Sequence, residues 1–278
     1  MPELPEVETT MRGIQPYVEQ AVLTRVEVRN PSLRWPVPVE EIKSFIGLEI
    51  TSCIRRAKYI LLQASKGSLM IHLGMSGSLR VLKDNEQHSL KKHDHIDLYF
   101  AKGQGENSQW LIRYHDPRRF GSLLITDKNQ QHPLLANLGP EPLSDDFNGD
   151  YLFKSSRKKT LAVKNFIMDA GIVVGVGNIY ASEALFLAKV RPTRKTGKVT
   201  KAEFVRLSET IKMVLSRAIE VGGTTLRDFT SSDGQAGYFS QKLNVYDRSD
   251  QPCKCCGTDI KRIVIGQRSS FYCPVCQT

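Results

Sequence analysis

Pro2 and Glu3 are the first residues whose types can do chemistry. A proline nitrogen inside a chain is an inert amide. Removal of Met1 turns it into a secondary amine, a nucleophile able to form an iminium with an aldehydic sugar carbon, and such adducts are a route to covalent catalysis. An α-amino group titrates near about pH 8, so an unprotonated fraction exists at neutral pH. Glu3 and Glu6 favour the protonated form, and Glu3 also puts a carboxyl group within reach of the carbon attacked. The same residues suit a plain helix start, with Pro5 at its first position and Glu6 and Glu8 at its positive end. On these residues alone both readings stand.

Cys253-x2-Cys256 is followed after sixteen residues by Cys273-x2-Cys276. Paired thiolates at this spacing make the tetrahedral cage of one structural zinc, closed to substrate. Cys255 is extra, and Cys53 reads as a small buried hydrophobe. Lys261, Arg262 and Arg268 lie between the knuckles, so the hairpin can either face a DNA backbone or serve only as a stability module.

Other clusters admit two readings each. Asp116-Pro117-Arg118-Arg119-Phe120-Gly121 places guanidinium groups beside a ring in a turn; such a set can wedge a duplex or be a surface hairpin. Leu73-Gly74-Met75-Ser76-Gly77 is another turn, and Met75 can be wedge or core. Lys58 can hold phosphate or solubilise a strand edge. Gly175-Val176-Gly177-Asn178 lacks the third glycine of a dinucleotide fingerprint, yet as a turn feeding a helix it offers N–H groups and the Asn178 amide to phosphate. His93 and His95 alternate with Asp94 and Asp97, which imitates a metal site but fits one strand with alternating faces.

Lys and Arg total 39 against 29 Asp and Glu, a net charge of +10, which implies a polyanionic partner. Two runs without acids, Lys154–Lys164 and Lys189–Lys201, look like a phosphate footprint. No apolar stretch is long enough to span a membrane, and no signal-peptide pattern opens the chain. A reducing cytoplasm is the expected location.

The elements that must position these groups divide the chain. Up to about residue 130 short apolar runs recur: Tyr59–Leu62, Leu69–Leu73, Leu79–Leu82, Ile96–Phe100, Trp110–Arg113 and Ser122–Ile125. Val22, Thr24, Val26 and Val28 alternate against Leu23, Arg25, Glu27 and Arg29. This pattern predicts a sandwich or barrel, preceded by a helix ending near Gly13 and Pro16. Beyond a connection rich in Pro and Gly, Thr200 and Glu203 form a capping box. Phe204, Leu207, Ile211, Val214, Leu215 and Ala218 follow at helical spacing, with Gly222 and Gly223 stopping the helix. Ser231–Gly237 reads as a mobile loop. The expected fold is α+β: a sandwich domain at 1–132, a linker at 133–150, a helical domain at 151–240 and a zinc finger at 241–278.

Taken in order, Pro2–Thr9, Arg55–Tyr59, His72–Leu79, His93–Leu98, Asp116–Gly121, Leu138–Gly149, Val174–Glu183, Gly222–Thr225, Ser232–Phe239 and the zinc knuckles resemble the bacterial formamidopyrimidine-DNA glycosylase family, which excises 8-oxoguanine. The resemblance implies a β-sandwich and a helical domain with a helix–two-turns–helix motif and zinc finger, clamped on damaged duplex DNA. It makes Pro2 the nucleophile at C1′ and Glu3 the proton donor to the opening sugar. Lys58 and Arg268 would hold phosphate and assist elimination, while Met75, Arg118 and Phe120 would fill and wedge the duplex. His93 and Asn178 would contact backbone, Lys164 would lie near the lesion pocket, and Ser232–Phe239 would close over the extruded base. Another DNA-contact position falls on Thr160, where relatives often carry a base. The sister endonuclease VIII family shares the Pro-Glu start, but its next residue resembles Gly where Leu4 stands here, and it lacks the Met/Arg/Phe set. The resemblance further implies a monomeric, nucleoid-associated bacterial enzyme acting on oxidised purines. A non-catalytic damage sensor and a metal-dependent nuclease remain as alternatives.

Overall fold

The computed structural model describes residues 2–84, 86, 88–103, 109–129, 131–224 and 243–278. They group into two compact units. One comprises the described residues up to Ala136 together with Val221–Thr224, and the other joins Asn137–Glu220 with the described residues from 243 onward.

In the first unit, helix α1 (Leu4–Val18) precedes two antiparallel sheets, which the short helices α2 (Val39–Lys43) and α3 (Pro133–Ala136) accompany. One has the order β1 (Val22–Val28), β6 (Asp94–Ala101), β7 (Gln109–His115), β5 (Ser78–Lys83); the other is β2 (Ser52–Arg56), β3 (Tyr59–Ala64), β4 (Gly67–His72), β8 (Ser122–Asp127). Their inner faces share one core. Leu23, Val81, Ile96, Leu98, Phe100 and Ile112 come from the first sheet, and Cys53, Ile60, Leu62, Leu69, Ile71 and Leu123 from the second. The sheets are separate, so the molecule is a sandwich and not a barrel. All six apolar runs are strands. β2 was not among them, because Arg55 and Arg56 break its apolar pattern.

Helix α1 begins at Leu4, putting Pro5 second, and it continues past Gly13 and through Pro16. A proline in the last turn forfeits one backbone bond. Ile14 and Val18 are fully buried against the sandwich, which favours the extension. Two bulges also break the alternation. In β1 the register shifts between Leu23 and Arg25, so Leu23, Val26 and Val28 all pack toward the core. In β6 the shift between Asp94 and Ile96 turns Asp94 and Asp97 to one face, away from His95.

That outer face carries a buried charge network. Asp97 accepts from Arg29 at 2.7 and 2.9 Å and from Arg113 at 2.8 and 2.9 Å. Asp94 accepts from Arg80 at 2.5 Å and pairs with His115 Nδ1 at 2.8 Å. These are structural ion pairs, not ligands.

The second unit holds α4 (Gly149–Ser156), α5 (Val163–Met168), α6 (Asn178–Leu187) and α7 (Lys201–Thr224) as far as Glu220. Asn148 caps α4 by accepting the Tyr151 N–H at 2.9 Å. Thr200 and Glu203 cap α7 reciprocally at 2.8 and 3.3 Å. Phe204, Leu207, Ile211, Leu215 and Ala218 face the core. α7 does not stop at Gly222 and Gly223 but passes through both to Thr224. Helix-interior glycine costs only about 1 kcal/mol, which the preceding packed turns offset. The expected mobile loop at 231–237 lies outside the described residues.

The zinc segment adds the hairpin β9 (Lys261–Ile265) and β10 (Arg268–Tyr272). Glu183 of α6, itself buried, anchors the approach to it. Its carboxylate accepts the N–H groups of Asn244, Val245 and Tyr246 and the Asn244 side-chain amide at 2.8–3.0 Å.

Asp97→Ala should lower the unfolding free energy by about 3–5 kcal/mol in urea titration, because it strands the buried Arg113 and half of the Arg29 pairing.

Candidate functional site

Pro2 is half-buried immediately before α1, and Glu3 is its N-cap, 2% exposed. Glu3 and Glu6 form a capping box, in which the Glu6 carboxylate accepts the Glu3 N–H at 2.8 Å and the Glu3 carboxylate accepts from the Glu6 N–H. The helix start therefore fixes the Glu3 carboxyl group at the positive end of the helix dipole, one residue along the chain from Pro2.

Lys58 ends the two-residue turn between β2 and β3, where Ala57 adopts a left-handed backbone at φ 55°. Arg55 ties this turn to α1, donating from Nε to Glu8 at 2.6 Å and from Nη1 to the Ala57 carbonyl at 3.0 Å. His72 packs against Tyr59, with ring centroids 5.0 Å apart. Burial pushes its pKa down to about 4, helped by the cations of Lys58 and Arg34 and opposed by Asp116. The Gly74 N–H donates to His72 Nδ1 at 3.0 Å, a bond that requires that nitrogen unprotonated.

Met75 and Phe120 are exposed, and Arg118 stacks over Phe120 at 4.9 Å. Their two turns meet through glycine. A methyl carbon placed on Gly74 would lie 2.4 Å from the Gly121 nitrogen and the Phe120 carbonyl carbon. One on Gly121 would lie 2.4 Å from the His72 oxygen and closer still to the Tyr114 hydroxyl. His93 is half-buried between the rings of His95 and His115, at 6.3 and 5.9 Å.

In the second unit, Thr160 is exposed beside Lys159. Lys164 is 1% exposed, and its ammonium donates to Asn178 Oδ1 at 2.6 Å, Ser270 Oγ at 2.7 Å and the Ser269 carbonyl at 3.2 Å. The Asn178 amide donates to the same carbonyl at 2.9 Å. This cation thus braces α5, α6 and the zinc hairpin, a role its place in a basic run gave no sign of. Arg268 is exposed just after the Gly266–Gln267 turn, whose two residues both have positive φ, 54° and 62°, the geometry of a tight primed hairpin turn.

The basic runs divide similarly. Arg191 donates to the Gln277 and Pro274 carbonyls, Arg194 pairs with Glu203 at 2.5 Å, and Lys201 pairs with Asp150 at 2.8 Å. Arg157 bonds Ser156 and the Val199 carbonyl. Lys154, Lys158, Lys159, Lys189, Lys195 and Lys198 are exposed.

Cys253, Cys256, Cys273 and Cys276 place their sulfur atoms within 4.8 Å of one another, with pairs at 3.9 and 3.5 Å. A tetrahedral zinc with Zn–S near about 2.3 Å needs S···S near about 3.8 Å, so the set fits one structural ion. Among the described residues this is the one metal-ligating cluster; His93, Asp94, His95 and Asp97 form none.

The chain thus joins a sandwich that opens on a Pro-Glu pair to a helical unit with a four-cysteine hairpin. Family comparison is specific. Residues 1–123 match the formamidopyrimidine-DNA glycosylase N-terminal domain, 138–230 the H2TH domain of the same enzyme, and 250–278 the zinc finger found in FPG and IleRS. The formamidopyrimidine-DNA glycosylase of Thioalkalivibrio sulfidiphilus is 54% identical over all of both chains, and that of Pasteurella multocida 52% identical over 100% of this chain and 99% of its own. The Lactococcus lactis enzyme, solved with DNA containing N7-benzyl-Fapy-dG, superposes with TM-score 0.85 at 32% identity over both whole chains. The same enzyme bound non-covalently to DNA with an abasic site gives 0.84 at 29% identity, covering 99% of each chain. The chain belongs to the formamidopyrimidine-DNA glycosylase family, base-excision DNA glycosylases with abasic-site lyase activity. No described helix is long and apolar enough to cross a membrane.

Two outcomes check this geometry. The His72 resonance should titrate with a midpoint near about 4. Because the folded pKa lies below that of the unfolded chain, the stability it contributes is complete above about pH 6.5 and lost as pH falls toward 4; His72→Gln should flatten that part of the profile. Elemental analysis should find one zinc per chain, and stripping it with a thiol-reactive mercurial should weaken DNA binding in a gel-shift titration while leaving the amide exchange protection of β3 and β4 intact.

Proposed function

We propose that this chain excises oxidised purines, 8-oxoguanine and formamidopyrimidines, from duplex DNA and then cuts the strand at the resulting site. The observation that carries the reading is the Pro2–Glu3 pair at the start of α1, with the buried Glu3 carboxyl group held by the capping box one residue after the imino nitrogen. Freed of Met1, the Pro2 nitrogen attacks C1′ as the glycosidic bond breaks and the base leaves. Glu3 protonates the sugar ring oxygen, the ring opens, and an iminium joins Pro2 to C1′. The iminium acidifies the 2′ proton. Its loss expels the 3′ phosphate, and a second elimination expels the 5′ phosphate.

Lys58 and Arg268 neutralise the departing phosphates. Met75, Arg118 and Phe120 occupy the space of the extruded nucleotide, with Arg118 facing the orphaned cytosine. His93, Asn178 and Thr160 meet the sugar–phosphate backbone, and Lys164 acts by holding Asn178 and the hairpin in place. Extrusion costs a few kcal/mol, least for a poorly stacked lesion, and the exposed lysines supply salt-dependent affinity. The relatives' names, and the abasic and Fapy-dG DNA of the Lactococcus complexes, support this substrate class. The enzyme works as a monomer in the bacterial cytoplasm, on the nucleoid. Its parts are a catalytic domain at 1–132, a linker at 133–150, a helical domain at 151–240 that includes the base-covering loop, and a zinc finger at 241–278.

Borohydride added during turnover on an 8-oxoguanine duplex should trap a covalent protein–DNA adduct, and Pro2→Gly should lose most of it. An undiminished adduct in that variant would remove Pro2 from the mechanism.

A further inference from the structure

The exposed side chains at Met75, Arg118 and Phe120 stand on two turns far apart in sequence, and one carboxylate joins them. Asp116 is fully buried. Its Oδ1 accepts from the Ser76 hydroxyl at 3.0 Å and the Arg118 N–H at 3.2 Å; its Oδ2 accepts from the Gly121 N–H at 2.9 Å and the Tyr114 hydroxyl at 3.4 Å. Ser76 adjoins Met75, and the Arg118 and Gly121 donors bracket Phe120. The backbone of Asp116 extends the same hub. Its N–H donates to the His93 carbonyl at 3.0 Å, and its carbonyl faces His95 Nε2 at 2.8 Å.

We propose that Asp116 is the positioning residue of the duplex wedge, fixing Met75, Arg118, Phe120 and the His93 backbone as one rigid set before DNA arrives. This deepens the wedge reading above and rests on it. The physics lies in the two N–H donors. The Ser76 and Tyr114 hydroxyls can rotate, but the Arg118 and Gly121 N–H groups cannot, and they approach opposite oxygens. Only an acid with two acceptor oxygens satisfies both. In Asp116→Asn the NH2 group must confront one of them, so one turn moves away. Rigidity matters because a wedge that must be ordered during extrusion stabilises the flipped state less.

The experiment compares two duplexes, one with 8-oxoguanine opposite cytosine and one with a preformed abasic site, which has no base to extrude. Asp116→Asn should slow 8-oxoguanine excision about tenfold or more, since misplacement by about 1 Å costs up to about a hundredfold, and slow abasic-site cleavage several-fold less. Ser76→Ala, which cuts only the tie to the Met75 turn, should show the same bias more weakly while keeping the wild-type melting temperature. A 2-aminopurine beside the lesion should brighten less on mixing with either variant, reporting poorer insertion. Equal losses on both duplexes, in Ser76→Ala as well, would overturn the proposal by making Asp116 merely structural. Met75→Ala with Phe120→Ala separates the layers. If that double variant loses excision and Asp116→Asn does not, the positioning role falls while the wedge stands. If the double variant excises normally, the wedge reading itself falls, and the proposal with it.

Discussion

A carboxylate removed from water must find donors, and for three buried acids of this chain those donors include backbone N–H groups at turns and at a helix start. Asp116 satisfies itself on Arg118, Gly121 and Ser76. Glu183 does so on Asn244, Val245 and Tyr246, and Glu3 on the first turn of α1. An unmet acceptor here costs about 1–3 kcal/mol, more when charged, so each loop is held wherever its acid can be satisfied. Lys164 is the same device with the sign reversed, a buried cation satisfied by acceptors on α6 and the zinc hairpin. Met75, Arg118 and Phe120 are exposed, yet their two turns are ordered from beneath by Asp116.

This changes the meaning of the charge excess. Several of the cations that make the chain basic are spent inside it: Arg29 and Arg113 on Asp97, Arg80 on Asp94, Arg194 on Glu203, and Lys164 on Asn178. The lysines left exposed around residues 154–159 and 189–198 carry the surface potential. Net charge named the partner class correctly, but it could not say which cations face that partner, since pairing depends on neighbours brought in from other elements.

The sandwich was legible because strand periodicity is a local property of solvent exposure, and the six apolar runs all formed strands. Misreadings fell where a tertiary contact outweighed a local rule. Bulges in β1 and β6 reassigned faces that strict alternation had fixed, so Asp94 and Asp97 became ion-pair partners on one side. Burial of Ile14 and Val18 carried α1 through Pro16. The pairing of Cys253-x2-Cys256 with Cys273-x2-Cys276 needed no structure, because ligand spacing and thiolate chemistry already specify the cage.

By itself the sequence determined the reactive inventory. It supplied an imino acid with a neighbouring carboxyl group, four thiols at knuckle spacing, an Arg-Arg-Phe turn and a basic surface, since each depends on residue type and short spacing alone. The folded chain decided which groups act together. Gly74 against Gly121, Arg55 between α1 and the Lys58 turn, and Asp116 beneath Met75, Arg118 and Phe120 are contacts between segments tens of residues apart. Such contacts are set by packing and by the need to satisfy buried polar groups, neither of which is written in any local stretch of the chain.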